Sequence, residues 1–315
     1  MSNISEKRII FLGTPDFAVA SLRALVEAGL HVVAVVTMPD KPAGRGLKMQ
    51  ASPVKVYAES QGIAVLQPPR LKEPEFIKTL AAYKADIQVV VAFRMLPELV
   101  WNMPPLGTFN LHASLLPQYR GAAPINWAIV NGEHETGVTT FKLKHEIDTG
   151  DVVYREKVAI GVNTTAGELH DQLMEVGARL IVKTIEDVLT DKAVYLPQLT
   201  AESELKAAPK IFREHCRIRW NKSGEEIHNL IRGMSPYPAA YCMLNEAILK
   251  IYRGRFVERR HFEYPGQLSI QQNQMQIATA DGYYYAEELQ LEGKKRMSVA
   301  DFIRGYRMES TSMLT

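Results

Sequence analysis

The chain of 315 residues holds only two cysteines, Cys216 and Cys242, in no Cys-x-x-Cys spacing, and its eight histidines form no His-Glu-x-x-His. A disulfide framework and a zinc centre are therefore not expected, and the reading calls for no metal. No stretch approaches the roughly 18 uncharged apolar residues that mark a membrane span, and the first residues run straight into a short apolar segment without a leader pattern. The expectations are a cytoplasmic protein, no membrane partner and a monomer. A hydrophobic fraction of 46% with 23% charged residues excludes a disordered or low-complexity chain. Net charge is also nearly absent, at +2, but the sum hides a split. Residues 1–204 carry 20 basic and 23 acidic side chains, whereas residues 205–315 carry 17 and 12.

The length suggests two domains. Ile9-Ile10-Phe11-Leu12, the Gly13-Thr14-Pro15-Asp16 turn, a helical pattern over 17–28 and the unbroken apolar run His31–Thr37 read as strand, helix, strand. Strands over 63–66 and 86–93, with a helix over 73–83 between them, continue the alternation. Such fully apolar strands separated by helices argue for an open, mostly parallel Rossmann-like α/β sheet, which binds ligands outside the carboxyl ends of its strands. Further strands are expected at 107–112, 137–143 and 152–160, and an amphipathic helix over 165–189 capped near Asn163-Thr164-Thr165. Residues 196–209 read as a linker. Beyond it, strands over 247–252, 267–270, 274–279 and 283–291, separated by turn signals, suggest a small β-barrel. The resulting division is 1–195, 196–209 and 210–315.

Asn110 and His112 lie two apart on an expected strand, so their side chains share a face about 7 Å apart. An imidazole can move a proton near neutrality and an amide can donate to an oxyanion, which together suit acyl-type transfer; a strand histidine can equally be structural. Asp148 sits in the turn Ile147-Asp148-Thr149-Gly150, where a carboxylate could orient a histidine or simply be solvated. An aspartic protease needs two carboxylates sharing a proton, and a single Asp-Thr-Gly in a long α/β region does not fit. Between these sites runs Ser114-Leu115-Leu116-Pro117-Gln118-Tyr119-Arg120-Gly121-Ala122-Ala123-Pro124, whose small residues allow a ligand to approach the backbone.

The Phe109-Asn110-Leu111-His112 strand, the Ser-Leu-Leu-Pro segment, the Arg-Gly-Ala-Ala-Pro run and the Asp148-Thr149-Gly150 turn, at these separations, resemble the folate-dependent formyltransferases. The resemblance implies that Asn110, His112 and Asp148 are the catalytic trio, that Ser114, Leu115, Leu116 and Pro117 contact tetrahydrofolate, and that the co-substrate is 10-formyltetrahydrofolate. Gly13-Thr14-Pro15-Asp16-Phe17, the Pro39–Gly46 loop and Asp301-Phe302 with Gly305 are similar to the branch of that family that formylates methionyl initiator tRNA. That branch carries a C-terminal barrel of the oligonucleotide-binding type. Glycinamide ribonucleotide formyltransferases share the trio but lack this barrel. One segment departs from the family, Val91-Ala92-Phe93-Arg94-Met95-Leu96-Pro97, one residue shorter than the usual pattern. Other open readings are a folate enzyme acting without tRNA and an RNA-binding module with an idle trio.

For the tRNA side, residues 38–53 are longer than an ordinary βα connection and carry Lys41, Arg45 and Lys48 against Asp40. The resemblance implies that this loop meets the acceptor end, with Arg45 a recognition residue. Lys206, Lys210, Arg213, Arg217 and Arg219 near the linker, and Lys250, Arg253, Arg255, Arg259 and Arg260 on the barrel, would suit a phosphate backbone or form an ordinary solvated face.

Overall fold

Ile9–Gly13 (β1), Val32–Val36 (β2) and Ile87–Val91 (β6) are almost wholly apolar and buried along their length, save half-buried Val33, so both faces of these strands must be covered. The computed structural model describes residues 4–43, 48–198, 205–305 and 311–315. The other elements to the end of the first sheet are Asp16–Glu27 (α1), Lys41–Ala43 (β3), Lys48–Gln50 (β4), Pro53–Ser60 (α2), Ala64–Leu66 (β5), Pro74–Ala82 (α3), Glu98–Trp101 (α4) and Thr108–His112 (β7). Arg120–Gly121 (β8), Pro124–Val130 (α5), Glu135–Lys142 (β9), Val152–Ala159 (β10) and Ala166–Leu189 (α6) follow. The chain divides into two compact units, Met1–Gly121 with Thr136–Val158 and His170–Ala207, and Ala122–Glu135 with Ala159–Leu169 and Ala208–Thr315.

The first unit is built on a seven-stranded sheet in the order β10-β9-β7-β6-β1-β2-β5. The pairs β6–β7, β6–β1, β1–β2 and β2–β5 are parallel, while β7–β9 is antiparallel. On one face Ile10, Leu12 and Val90 pack with Phe76 and Leu80 of α3 and Val100 of α4. On the other, Leu111 meets α6 so closely that a Cβ on Gly177 would lie 2.7 Å from it. The turn from β1 to α1 is equally tight: a Cβ on Gly13 would stand 2.7 Å from that of Ala18 and 3.0 Å from the Val91 carbonyl, so glycine is required there. The expected parallel α/β sheet is therefore present, and α6 begins at a capping box in which Thr165 and Glu168 bond reciprocally.

Where the sequence suggested a long loop, residues 41–50 begin and end as an antiparallel pair, with Lys41 opposite Gln50. Its base is tied down by Asp40, which accepts from Lys55 Nζ at 2.7 Å and from Gln67 Nε2 at 2.7 Å. Those bonds, Lys55 first, hold the Asp40 carboxyl below the usual range. The one acid of the segment is thus already paired within the fold.

The second unit carries a nearly closed antiparallel barrel. After Ala207–Ala208 (β11) come Gly224–Met234 (α7), Ala240–Leu244 (β12), Ala247–Glu258 (β13), Gln267–Gln271 (β14), Gln274–Ala278 (β15), Gly282–Leu291 (β16), Met297–Ser298 (β17), Val299–Gly305 (α8) and Thr311–Met313 (β18). The sheet order is β12-β13-β16-β15-β14-β18, and a bridge from Leu244 to Leu314 brings its two ends together. Helix α7, unforeseen among the strands, starts at a Ser223–Glu226 capping box and buries Ile227, Ile231 and Met234 in the barrel core. Each such burial stabilises by about 1.5–3 kcal/mol.

Candidate active site

Strand β7 delivers Asn110 and His112 to one face, the face of Leu12 and Val90, since side chains two apart on a strand point the same way. Asn110 is half-buried; His112, at the carboxyl end of the strand opposite Thr139, is buried. His112 Nε2 lies 2.8 Å from the carbonyl oxygen of Tyr119. A carbonyl can only accept, so Nε2 carries the hydrogen and Nδ1 is the free acceptor of the neutral ring. Nδ1 faces Asp148 Oδ2 at 3.8 Å, beyond direct hydrogen-bond reach.

Asp148 reaches this position from the turn after β9 by adopting φ 53°, a left-handed conformation that aspartate tolerates better than most side chains. Its Oδ2 accepts from the backbone N–H of Gly121 at 3.0 Å. Its carbonyl, and that of Gly150, accept from Gln198 Nε2 at 3.0 and 2.8 Å, and Gln198 Oε1 in turn accepts from Arg120 at 2.7 Å. Gly150 is pressed against the end of β9, where an added Cβ would stand 1.7 Å from the Lys142 carbonyl oxygen.

The Ser114–Pro117 segment is anchored from within. Ser114 donates to the Gln118 carbonyl at 2.6 Å, and Thr139 donates to the Ser114 carbonyl at 2.7 Å while accepting from Leu116 N–H at 3.1 Å. Leu116 is buried against Phe141 and Val152, so Leu115 and Pro117 are the half-buried members of the four. Beside the Asp148 turn opens a cavity of 510 Å³ lined by Arg120, Lys144, His145, Glu146, Thr149 and Gln198 among others, a mostly polar and cationic wall.

The structure thus brings His112 and Asp148 together, with Asn110 one step back on the same strand face. Lys41 is exposed at the start of the β3–β4 pair; Arg45 and the side chain of Lys48 lie outside the described residues. Arg94, in the segment that departs from the expected pattern, donates to the carbonyls of Pro68 and Pro69 at 2.5 and 2.9 Å, so it ties together the chain beyond β6 and β5. On the barrel, Arg253 is paired with Glu168 at 2.5 Å, Arg255 lies 4.4 Å over the ring of Tyr285, and both are exposed, as are Arg259 and Arg260 and, nearer the linker, Arg217 and Arg219. Sequence reasoning missed Tyr119, Thr139 and Gln198. No local pattern marks them: Tyr119 acts through a backbone carbonyl that any residue carries, and Thr139 and Gln198 act through contacts with segments distant in the sequence.

The formyl transferase family model matches residues 7–185, and the model of the formyl transferase C-terminal domain matches residues 210–307. The methionyl-tRNA formyltransferase of Bacteroides fragilis is 50% identical over 311 residues, covering 96% of each chain. That of Phocaeicola vulgatus is 54% identical over 312 residues, again 96% of each. Among solved structures, an N-formyltransferase from Helicobacter canadensis in complex with folinic acid and dTDP-3-aminofucose superposes with a TM-score of 0.66 at 22% identity, over 89% of this chain and 98% of that one. HypX from Aquifex aeolicus in complex with tetrahydrofolic acid gives 0.65 at 17% identity, over 97% and 50%. At these identities the superpositions speak for the fold alone, but the family models and the near full-length relatives place the chain plainly: it belongs to the formyl transferase family.

Proposed function

We propose that this protein transfers the formyl group of 10-formyltetrahydrofolate to the α-amino group of methionyl initiator tRNA, giving the N-formylmethionyl-tRNA used in translation initiation. The observation that carries the reading is the 54% identity across 312 residues, spanning both compact units, with a protein of that name. Residues 1–195 then form the formyl-transfer domain, 196–209 the linker and 210–315 the tRNA-binding domain of a monomer working in the cytoplasm.

In this reading the neutral amine attacks the formyl carbon, forming the new C–N bond and a tetrahedral oxyanion. The Asn110 amide donates to that oxyanion. The proton released by the amine passes to His112 and on to the folate N10 as the N10–carbon bond breaks, so no net proton is consumed at that centre. The engagement of Nε2 with Tyr119 holds the neutral ring and supports Nδ1 as the working nitrogen, with the Asp148 carboxylate opposite it to orient the ring and balance its charge once Nδ1 takes the proton. Leu115 and Pro117 offer apolar surface to the folate while Ser114 and Leu116 hold the loop. Lys41, Arg45 and Lys48 meet the acceptor end, and the exposed arginines of the C-terminal third hold the phosphate backbone.

Purified protein is assayed for formyl transfer from 10-formyltetrahydrofolate to methionyl initiator tRNA, with methionyl elongator tRNA and free methionine as parallel acceptors. Transfer confined to the initiator is expected. Equal rates on all three would overturn the acceptor assignment.

A further inference from the structure

The parts that fix His112 and Asp148 converge on one short segment. Tyr119 gives its carbonyl to His112 Nε2, Gly121 gives its N–H to Asp148 Oδ2, and Arg120 between them grips Gln198. Gln198 closes the circuit by donating one amide nitrogen to both the Asp148 and the Gly150 carbonyls. Asp148 is the member that needs holding: it sits at positive φ in a turn whose side chain must remain 3.8 Å from the imidazole, and its carboxylate is anchored by the backbone N–H of Gly121. The segment bearing Gln198 is itself pinned, because Leu196 exchanges both backbone bonds with Val152 at 2.8 Å.

From this circuit we infer that Gln198, in the stretch between the formyl-transfer fold and the barrel, is a positioning residue for formyl transfer: its carboxamide holds the Asp148 turn at the distance His112 requires. The inference rests on the proposed function and on the role given there to Asp148. Gln198 touches no reacting atom, so it acts on the rate of the bound complex and not on substrate affinity. Displacement of a reacting group by about 1 Å costs up to about 100-fold in rate.

The test uses single-turnover formylation of methionyl initiator tRNA by full-length protein. Gln198→Glu keeps the length of the side chain and its acceptor for Arg120 but turns oxygen toward two carbonyls. Gln198→Met keeps the length and removes all polar contact, and serves if the first variant does not fold. Each should lose 10- to 100-fold in the rate of the bound complex with both KM values within about threefold of wild type. Placed on Asp148→Asn, the same substitution should cost less than threefold further, since residues acting through one group are non-additive. A wild-type rate overturns the inference, as does an equal loss in the Asp148→Asn background or a loss confined to KM. Failure of the wild-type protein to formylate would instead strike the proposed function.

Discussion

Strand β7 and the turn from Leu143 to Asp151 hold the two halves of the candidate site, and they do so by different means. Asn110 and His112 are placed by a β-ladder, paired with β6 on one side and β9 on the other, so the alternation of the strand alone sets their direction. Asp148 has no ladder of its own. It is placed by its own left-handed backbone together with an N–H from Gly121 and the Gln198 amide, the last two drawn from elsewhere in the chain. Regular structure fixes a side chain by many small and redundant restraints, whereas an irregular turn depends on a few contacts whose loss is not shared out.

The sharpest break of this comparison is to remove one group from each half. Asn110→Ala should lower turnover by about 10²–10³, typical of a missing oxyanion donor, with the strand intact because the ladder uses backbone groups. Near-normal turnover would remove Asn110 from the mechanism. Asp148→Asn is expected to cost at least as much, as orienting carboxylates beside a catalytic histidine do. The two should differ in how they respond to nearby changes: variants around β7 should leave the rate almost unaltered, while variants around the turn should not.

Gly150→Ala tests that contrast directly. The new Cβ would collide with the Lys142 carbonyl, a backbone atom at the end of β9 that cannot rotate away. The turn must shift, with an expected loss of about 1–3 kcal/mol in stability and at least tenfold in turnover. Urea unfolding and the formylation rate report on the two separately. Loss of stability with an unchanged rate would mean that Asp148 tolerates movement and that the turn is less critical than its contacts suggest.

The same division explains what could be read from the sequence. The buried strands of the sheet, the Asn110 and His112 pairing and the α6 cap at Thr165 follow from local patterns: unbroken apolar runs, period-two alternation and a Thr-x-x-Glu box. Helix α7 is equally legible from the Ser223-Gly224-Glu225-Glu226 capping box, although it stands among the turn signals that separate the barrel strands. The β3–β4 pairing was hidden because Pro42, Ala43 and the glycines of that stretch read as loop. Gln198 could not have been found, since nothing in Pro197-Gln198-Leu199 distinguishes a clamp from a solvated glutamine and its partners lie 48 and 50 residues earlier.

Glu168 carries both kinds of restraint on one carboxylate, and there the balance reverses. Locally it completes the capping box with Thr165, and at long range it meets Arg253, which together hold its carboxyl at about 2 instead of the ordinary 4.5. A carboxyl depressed in this way stabilises the fold above its unfolded value and loses that contribution as pH falls from about 4.5 through about 2. Because the Glu168 side chain is 46% exposed, solvent screening limits the ion pair to less than about 1 kcal/mol. Glu168→Gln keeps an acceptor for the box and removes only the charge, whereas Thr165→Ala removes the cap, worth about 1 kcal/mol. Urea midpoints at pH 7 should therefore fall more for Thr165→Ala than for Glu168→Gln, and the gap between wild type and Glu168→Gln should close as pH drops from 4.5 toward 2. A larger effect of Glu168→Gln at pH 7 that closes in acid would make the Arg253 contact the stronger restraint, and a gap that stays open in acid would mean that the charge is not its source; the expected result instead leaves the local box dominant at this helix end, the opposite of the dependence on distant partners at Asp148.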